Sequence, residues 1–577
     1  MKRVPTKILS LVIVVLFLFT LAACQGATTT TTGTTKAPTG TTKAPTGPTT
    51  TDTASGRYGK YEETVTVTLL STDPIAGSTE ISYDPNNPDR ASANENAWVA
   101  GYLEHLNIDI ERIIAEDATA LNAKINTSMA SNDLADIVVC SKEMYYVMAE
   151  NGVLADLTEA YDSYSSTYGI KIRQAVESVS EDTMNACQYD GEWLALPQSQ
   201  KAYYAGTDVL WVRQDWLDAV NMDAPTTIDE LVDVATAFQE NQLGGEDTIG
   251  LGVNGIEDCI LAAYGAIMNT WCQQDDGTYV YANTMDEMKD GLLKLQEIYA
   301  AGLIKSDFAV TNILNEEISN SLVGLFYAPG YYSVTACKSN LLNDEEAEWI
   351  AVDIPSLTGE PIKQYTNGVL TQCIVVNKDC ENVDALFKML DFELQMYLEP
   401  TKEESAQYFL CDDGYVMWNL RPFRNYGITA QDFYVGTQLN AALANGAKSS
   451  DDIPVVAQMI YGLMEPVIKS CDIYNTGVWD GNRDETYPWG IYYVYCISYP
   501  IVQAKQAEGL LVAGYNGPNT DNISTYQATI NEALTNAMLK VIMGADISVF
   551  EEAVQTWYDT GGQAITDDVN AYYQSLK

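Results

Sequence analysis

The residues of this chain best suited to chemistry are aromatic and acidic. Tyr331 and Tyr332 follow the apolar run "SLVGLF" and an Ala-Pro-Gly turn. Proline fixes the direction of the chain and glycine frees the turn, so the pair is presented on a defined loop. Tyrosine offers a flat, partly polar face with little rotamer entropy to lose, which suits stacking on a sugar ring. One ring of the pair is enough for that, and the other is expected to pack inward. Trp479, Tyr487 and Trp489 form a second aromatic cluster. Core packing is the competing role there, and Trp489 is retained as a ligand-binding candidate. Nucleophilic catalysis has little to draw on. The one histidine, His105, lies in the helix-like stretch "AWVAGYLEHLNIDIE", which disfavours Ser-His-Asp and Cys-His machinery. With 79 Asp+Glu, a carboxylate pair at glycosidase spacing would be found by chance and carries no weight. Ten cysteines follow Cys24 and none forms C-x-x-C, so zinc spacing is absent. No catalytic residue, metal or cofactor is expected. Cys140 and Cys373 sit in apolar, strand-like runs where a buried thiol is at home.

The elements that must position these residues alternate. "ETVTVTLL" (63–70) reads as a strand, "ENAWVAGYLEHLN" as a helix, "IDIERI" as a strand, "TALNAKINTSMAS" as a helix and "NDLADIVVC" as a buried strand. This rhythm predicts an α/β fold with a largely parallel sheet covered by helices. Ligands on such sheets gather beyond the carboxyl ends of strands. Two loops therefore become candidates: Ser71-Thr72-Asp73, with Asp73 as the polar group, and Ser141-Lys142-Glu143. In "APTTIDEL", Thr227 and Glu230 have capping-box spacing for a helix through Phe238.

The N-terminal region has a different character. Lys2, Arg3 and Lys7 precede an apolar run, Ile8 through Ala23, which ends on Cys24. Positive start, apolar centre and small residues in that order describe an export signal. Leu21-Ala22-Ala23-Cys24 resembles a bacterial lipobox, which implies cleavage after residue 23 and lipidation of Cys24. Residues 24–57 are rich in Thr, Pro and Gly, and "GTTKAPT" occurs twice in succession from Gly33. Such a segment cannot bury enough surface to offset its chain entropy, and it reads as a disordered tether. The remainder, 58–577, is long enough for more than one core. A formal charge of −48 argues against nucleic acid as a partner.

Several longer stretches share a resemblance. "MASNDLADIVVCSKEMYYVMAENGVLADLTE", "YDGEWLALPQSQ", "VLWVRQDWLDAVNMDAPTTIDELVDVATAF", "LQEIYAAGLIKSDF", "SLVGLFYAPGYYS" and "WYDTGGQAITDDVNAYY" resemble, in this order, segments of the extracellular solute-binding proteins of ABC importers. The likeness is to the maltose-binding-like group, in its large lipoprotein branch. It implies two discontinuous α/β lobes closing over a ligand. Lobe 1 would hold about 58–197 and 367–480, and lobe 2 about 198–366 and 481–577, with a Leu-Pro hinge at 196–197 and a return strand near 366–376. It also implies a monomeric receptor on the outer face of a cell membrane, in a Gram-positive bacterium, that passes a carbohydrate, an oligosaccharide, to membrane permease subunits. A surface glycoside hydrolase and a receptor for a non-sugar solute such as a peptide remain the alternatives. By the same resemblance the loop carrying Tyr331 and Tyr332 presents stacking aromatics, Glu143 bonds sugar hydroxyls, and Gln198, Tyr203 and Tyr204 follow the hinge into the site. Where relatives carry a calcium-like Asp-x-Asp-Gly-x-Gly loop, this chain has "ENQLGGEDTIG" and lacks the first acidic ligands.

The anchor has a direct test. Cys24→Ala is expected to release the protein into the medium or leave it unprocessed. Fractionation that finds the variant processed and as membrane-bound as the parent would refute the lipobox.

Overall fold

The computed structural model describes residues 59–75, 82–163, 184–198, 207–310, 314–366, 370–398, 400–409, 411, 415, 417–423, 431–477 and 479–576. The expected signal and tether, with Cys24, lie outside them, as do Tyr203 and Tyr204.

Alternating burial builds the first sheet. In β1 (Val65–Thr72), Val67 and Leu69 enter one core and Leu70 the other, as a period of two requires. β1 lies between β2 (Ile108–Ala115) and β3 (Ile137–Ser141) and is parallel to both. In β3 the split is complete: Ile137 and Val139 face one core, Val138 and Cys140 the other. A hairpin, β4 (Gln188–Tyr189) with β5 (Glu192–Trp193), leads to β6 (Leu196–Gln198).

The chain then enters a second sheet at β7 (Asp208–Arg213). After the hairpin β8 (Trp271–Gln273) and β9 (Tyr279–Tyr281), β10 (Leu325–Pro329) and β11 (Trp349–Val352) flank β7, both antiparallel to it. β12 (Gln364–Thr366) leads back toward the first sheet. There β13 (Gln372–Val376) inserts between β3 and β6, antiparallel to each, giving the order β2-β1-β3-β13-β6. Finally β14 (Leu511–Ala513) pairs in parallel with β12. The expected parallel arrangement therefore holds for β1, β2 and β3 but not for β13 or the second sheet. Apolar alternation encodes which side chains are buried, not the direction in which a strand runs.

Each sheet is covered on both faces, which gives a two-lobed α/β architecture. On the second sheet, Leu210 and Val212 pack with the helices Ile228–Glu240, Glu287–Ala300 and Asp521–Ile542. Val209 and Trp211 pack on the other face with Leu439, Tyr461 and Met464. This redraws the expected division, which assigned residues up to 480 to the first lobe. Helices Gln431–Ala444 and Val455–Cys471 carry apolar faces that cover the open side of the second sheet. The first lobe's return segment is instead the helix Asp384–Leu398, with Met417, Leu420 and Phe423.

The "VRQDWL" stretch has a visible purpose. Arg213, 1% exposed, donates to both carboxylate oxygens of Asp215 at 2.7 and 2.6 Å and to Asp344 at 3.1 Å. Its guanidinium lies 4.8 Å from the Trp216 ring. Gly324 makes room for that ring, since a Cβ there would meet Trp216 at 2.2 Å. His105 stacks on Phe392 with ring centroids 5.4 Å apart, a packing role.

The expected capping box is present. Thr227 Oγ1 accepts from the Glu230 amide at 3.2 Å, and the Glu230 carboxylate accepts from the Thr227 amide at 3.1 Å. Thr227→Ala is expected to cost about 1 kcal/mol, read as a lower denaturation midpoint with an unchanged slope. A midpoint equal to the parent's would show that the cap contributes nothing to stability.

Candidate functional site

The first lobe contributes the loops after β1 and β3. Asp73 is engaged locally: its Oδ1 accepts from the Ile75 amide at 2.9 Å and the Tyr83 hydroxyl at 2.7 Å, which shapes its own loop. Ser141 caps the helix Lys142–Glu150, its Oγ accepting from the Met144 amide at 3.3 Å. Lys142 is buried, which pulls its pKa down, and its ammonium stands 5.7 Å from the Tyr515 ring. Glu143 is exposed at the helix start, where the helix dipole favours a carboxylate, and accepts from Asn519 at 3.5 Å.

Tyr515 and Asn519 lie just beyond β14. Tyr515 meets Tyr572 and Tyr573 of the final helix, Gln563–Ser575, with centroids 5.5 and 6.2 Å apart. Asn516 accepts from the Leu370 amide at 2.6 Å, on the path from β12 to β13. The Lys142–Glu143 helix start of the first lobe thus touches the segment that crosses between lobes and, through Tyr515, aromatics that pack with the second.

On the second lobe, Tyr331 is 39% exposed and keeps one face open. Tyr332 lies 5.5 Å from it and packs on Phe326 at 5.9 Å, which makes Tyr332 the inward member of the pair. Burial, then the field of Asp208, raises the pKa of Tyr331. Asp208 opens β7 and belongs to an acidic cluster. Burial, and then the Asp258 charge, push its carboxyl up to about 7. Burial also raises Asp258, and it raises Glu257 well above the usual carboxylate range.

Trp489 is corrected from ligand candidate to core residue. It is 2% exposed and packs on Trp479 at 5.6 Å and Tyr493 at 4.5 Å. A helix of mostly apolar residues (Thr486–Tyr492) pressed on the second sheet leaves its indole no open face. Gln198 ends β6 on the edge of the first sheet, and its side chain lies outside the described residues. Asp208, Asp258, Gln364 and Tyr515 were not anticipated. In sequence, Glu257-Asp258 reads as ordinary helix-start charge, and only the fold brings Asp208 and Gln364 to it.

A family model for bacterial extracellular solute-binding proteins matches residues 97–383. The chain belongs to that family. Lipoprotein LipO of Bacillus subtilis (strain 168) is 22% identical over 484 residues, covering 80% of this chain and 85% of LipO. A fructooligosaccharide ABC transporter substrate-binding protein, FusA of Streptococcus pneumoniae serotype 4, is 23% identical over 289 residues, 46% of this chain and 52% of FusA. Among solved structures, an HMO-binding, ABC-transporter-associated solute-binding protein of Bifidobacterium longum infantis superposes with a TM-score of 0.53 at 16% identity, over 89% of this chain and 99% of that one. The alginate-binding protein AlgQ2 gives 0.51 at 14% identity, with the same shares of the two chains. These solved structures share the two-lobed fold.

For this solute-binding protein, Tyr331→Ala is expected to weaken ligand binding roughly ten- to a hundredfold, the effect of losing a stacked ring worth on the order of 1–3 kcal/mol. Its melting temperature without ligand should hardly change, because the ring is half open. Calorimetric titration that finds unchanged affinity would remove Tyr331 from the site.

Proposed function

We propose that the protein is a surface-tethered receptor that binds a carbohydrate, an oligosaccharide, between its lobes and delivers it to the permease of an ABC importer. The observation that carries this reading is the open Tyr331 ring on the loop after β10. A flat, partly polar face on one lobe, with the exposed Glu143 carboxylate on the other, suits a ring bearing hydroxyls. The names of relatives point the same way: FusA takes fructooligosaccharide, and a second Bacillus subtilis relative, YtcQ, 33% identical over 109 residues, is a polygalacturonan/rhamnogalacturonan-binding protein.

The remaining parts of the reading rest on the N-terminal sequence and on the family resemblance. Cys24 carries the lipid, residues 24–57 form the tether, and the receptor stands as a monomer on the outer face of a Gram-positive cell membrane. Its role is binding without turnover. Closure brings Glu143 and the Tyr331 loop onto the same ligand, with movement about β12 and β14.

A thermal-shift screen over mono- and oligosaccharides, followed by titration of each hit, tests this. One sugar should bind per chain, raise the melting temperature, come back chemically unchanged and shrink the radius of gyration. At 100 times its dissociation constant a ligand adds roughly 2.7 kcal/mol. Released product would establish the hydrolase alternative. A panel with no sugar hit, alongside a saturating peptide, would replace carbohydrate with peptide as the solute.

A further inference from the structure

Behind the Tyr331 loop, three segments of the second lobe meet around a small cavity. Asp208 comes from the start of β7, Asp258 and Cys259 from the helix Asp258–Ala263, and Gln364 with Tyr365 from β12. The cavity holds about 10 Å³, with Ala262, Ile267 and Met268 as its apolar wall. That is far too small for a sugar ring and close to the room needed by a single water-sized occupant. The site is therefore separate from the carbohydrate surface.

Its donor set is unusual for a plain core. One oxygen each of Asp208 and Asp258 and the sulfur of Cys259 lie within 4.8 Å of one another. Gln364 is 3% exposed. Its Nε2 donates to the Asp208 carbonyl at 2.9 Å and approaches the Cys259 sulfur at 3.6 Å, while its Oε1 is buried with no hydrogen-bond partner. The Tyr327 hydroxyl, also buried and in the field of Cys259 and Asp258, has none either. A buried polar group left in this state costs on the order of 1–3 kcal/mol. The nearby cation is already committed: Lys505 is held by Asp353 at 2.8 Å. Among the described residues no lysine or arginine forms an ion pair with Asp208 or Asp258.

We propose that Asp208, Asp258 and Cys259 bind one thiophilic divalent cation, Zn²⁺ in particular, beside the Gln364 amide. Two carboxylate oxygens and a thiolate supply three ligands of the right kinds, and a water in the fourth tetrahedral position can donate to the unpartnered Gln364 Oε1. Bonds of about 2.0–2.3 Å place tetrahedral ligands roughly 3.3–3.8 Å apart, so a contraction of about 1 Å closes the set. On binding, the Cys259 thiol gives its proton to solvent and its sulfur lone pair to the metal. The ion ties β12, one of the segments that cross between lobes, to β7 and to the helix that begins at Asp258. It holds the second lobe's side of the hinge and does not touch the sugar.

The test uses the purified full-length protein, stripped with chelator and titrated with Zn²⁺, and with Co²⁺ as a spectroscopic probe. The expected result is one metal per chain, a raised melting temperature and a sulfur-to-cobalt charge-transfer band. Cys259→Ser should abolish the band, and Asp258→Asn should weaken affinity by at least ~10-fold. Cys272→Ser, a half-buried thiol elsewhere, should leave both unchanged. Should Cys259→Ser fail to fold, Asp208→Asn makes the same comparison. The proposal is overturned by the absence of saturable binding, or by binding that persists unaltered in the Cys259 and Asp258 variants. Sugar affinity is not part of the readout, so either reading can fail alone.

Discussion

The central strands of both sheets are buried on both faces, and much of this structure follows from that constraint. β3, β7 and β13, and with them the edge strand β10, send alternate side chains into two different cores. Such strands require helices on each side, and helices on each side leave only strand ends and loops free to meet a ligand. The first lobe accordingly offers Ser141–Glu143, immediately beyond β3. The second offers Tyr331, immediately beyond β10. The same requirement explains why helices from 431 to 471 abandon the first lobe: the face of the second sheet carrying Val209, Trp211 and Phe326 has to be covered.

Among the described residues, the paired strands β12 and β14 lie on the path between the lobes. β12 and β14 share only a three-residue register, Gln364–Thr366 with Leu511–Ala513. Around that short ladder gather the Asn516 contact to Leu370, the Thr207–Thr366 hydroxyl pair at 3.0 Å and the acidic pocket with Gln364. Stiff bodies joined by a short ladder form the arrangement in which small rotations at the joint produce large displacements at loop tips.

Acidity is distributed with purpose inside the protein as well as over its surface. Glu393 is buried in the first lobe beside Tyr102, whose hydroxyl donates to it at 2.5 Å, and Arg421 at 3.4 Å. Burial nonetheless pushes its carboxyl up to about 7. That carboxyl has a phenol and a guanidinium to answer it. Among the described residues no phenol or guanidinium donates to Asp208 or Asp258, although Tyr365 lines the same pocket. The two acidic sites thus differ in what surrounds them: Glu393 is fully buried and faces Tyr102 and Arg421, whereas Asp208 and Asp258 are partly buried and have acceptors in excess.

Much of this was legible in the amino-acid sequence. The strands read at 63–70, in "IDIERI" and in the run ending at Cys140, the helix beginning after Thr227 and the family likeness all rest on local periodicity, caps and motif order, and those are properties of neighbouring residues. So was the candidacy of Tyr331, because a Pro-Gly turn after an apolar strand presents whatever follows it. Other features depended on tertiary structure. Strand direction in the second sheet, the lobe to which 431–480 belongs and the burial of Trp489 are decided by which faces remain to be covered once the sheets exist. The acidic pocket is decided in the same way. Asp208, Asp258 and Gln364 come from three separate elements, each polar residue unremarkable in its own segment, and only the meeting of β7, β12 and the helix at 258 turns them into a common donor set.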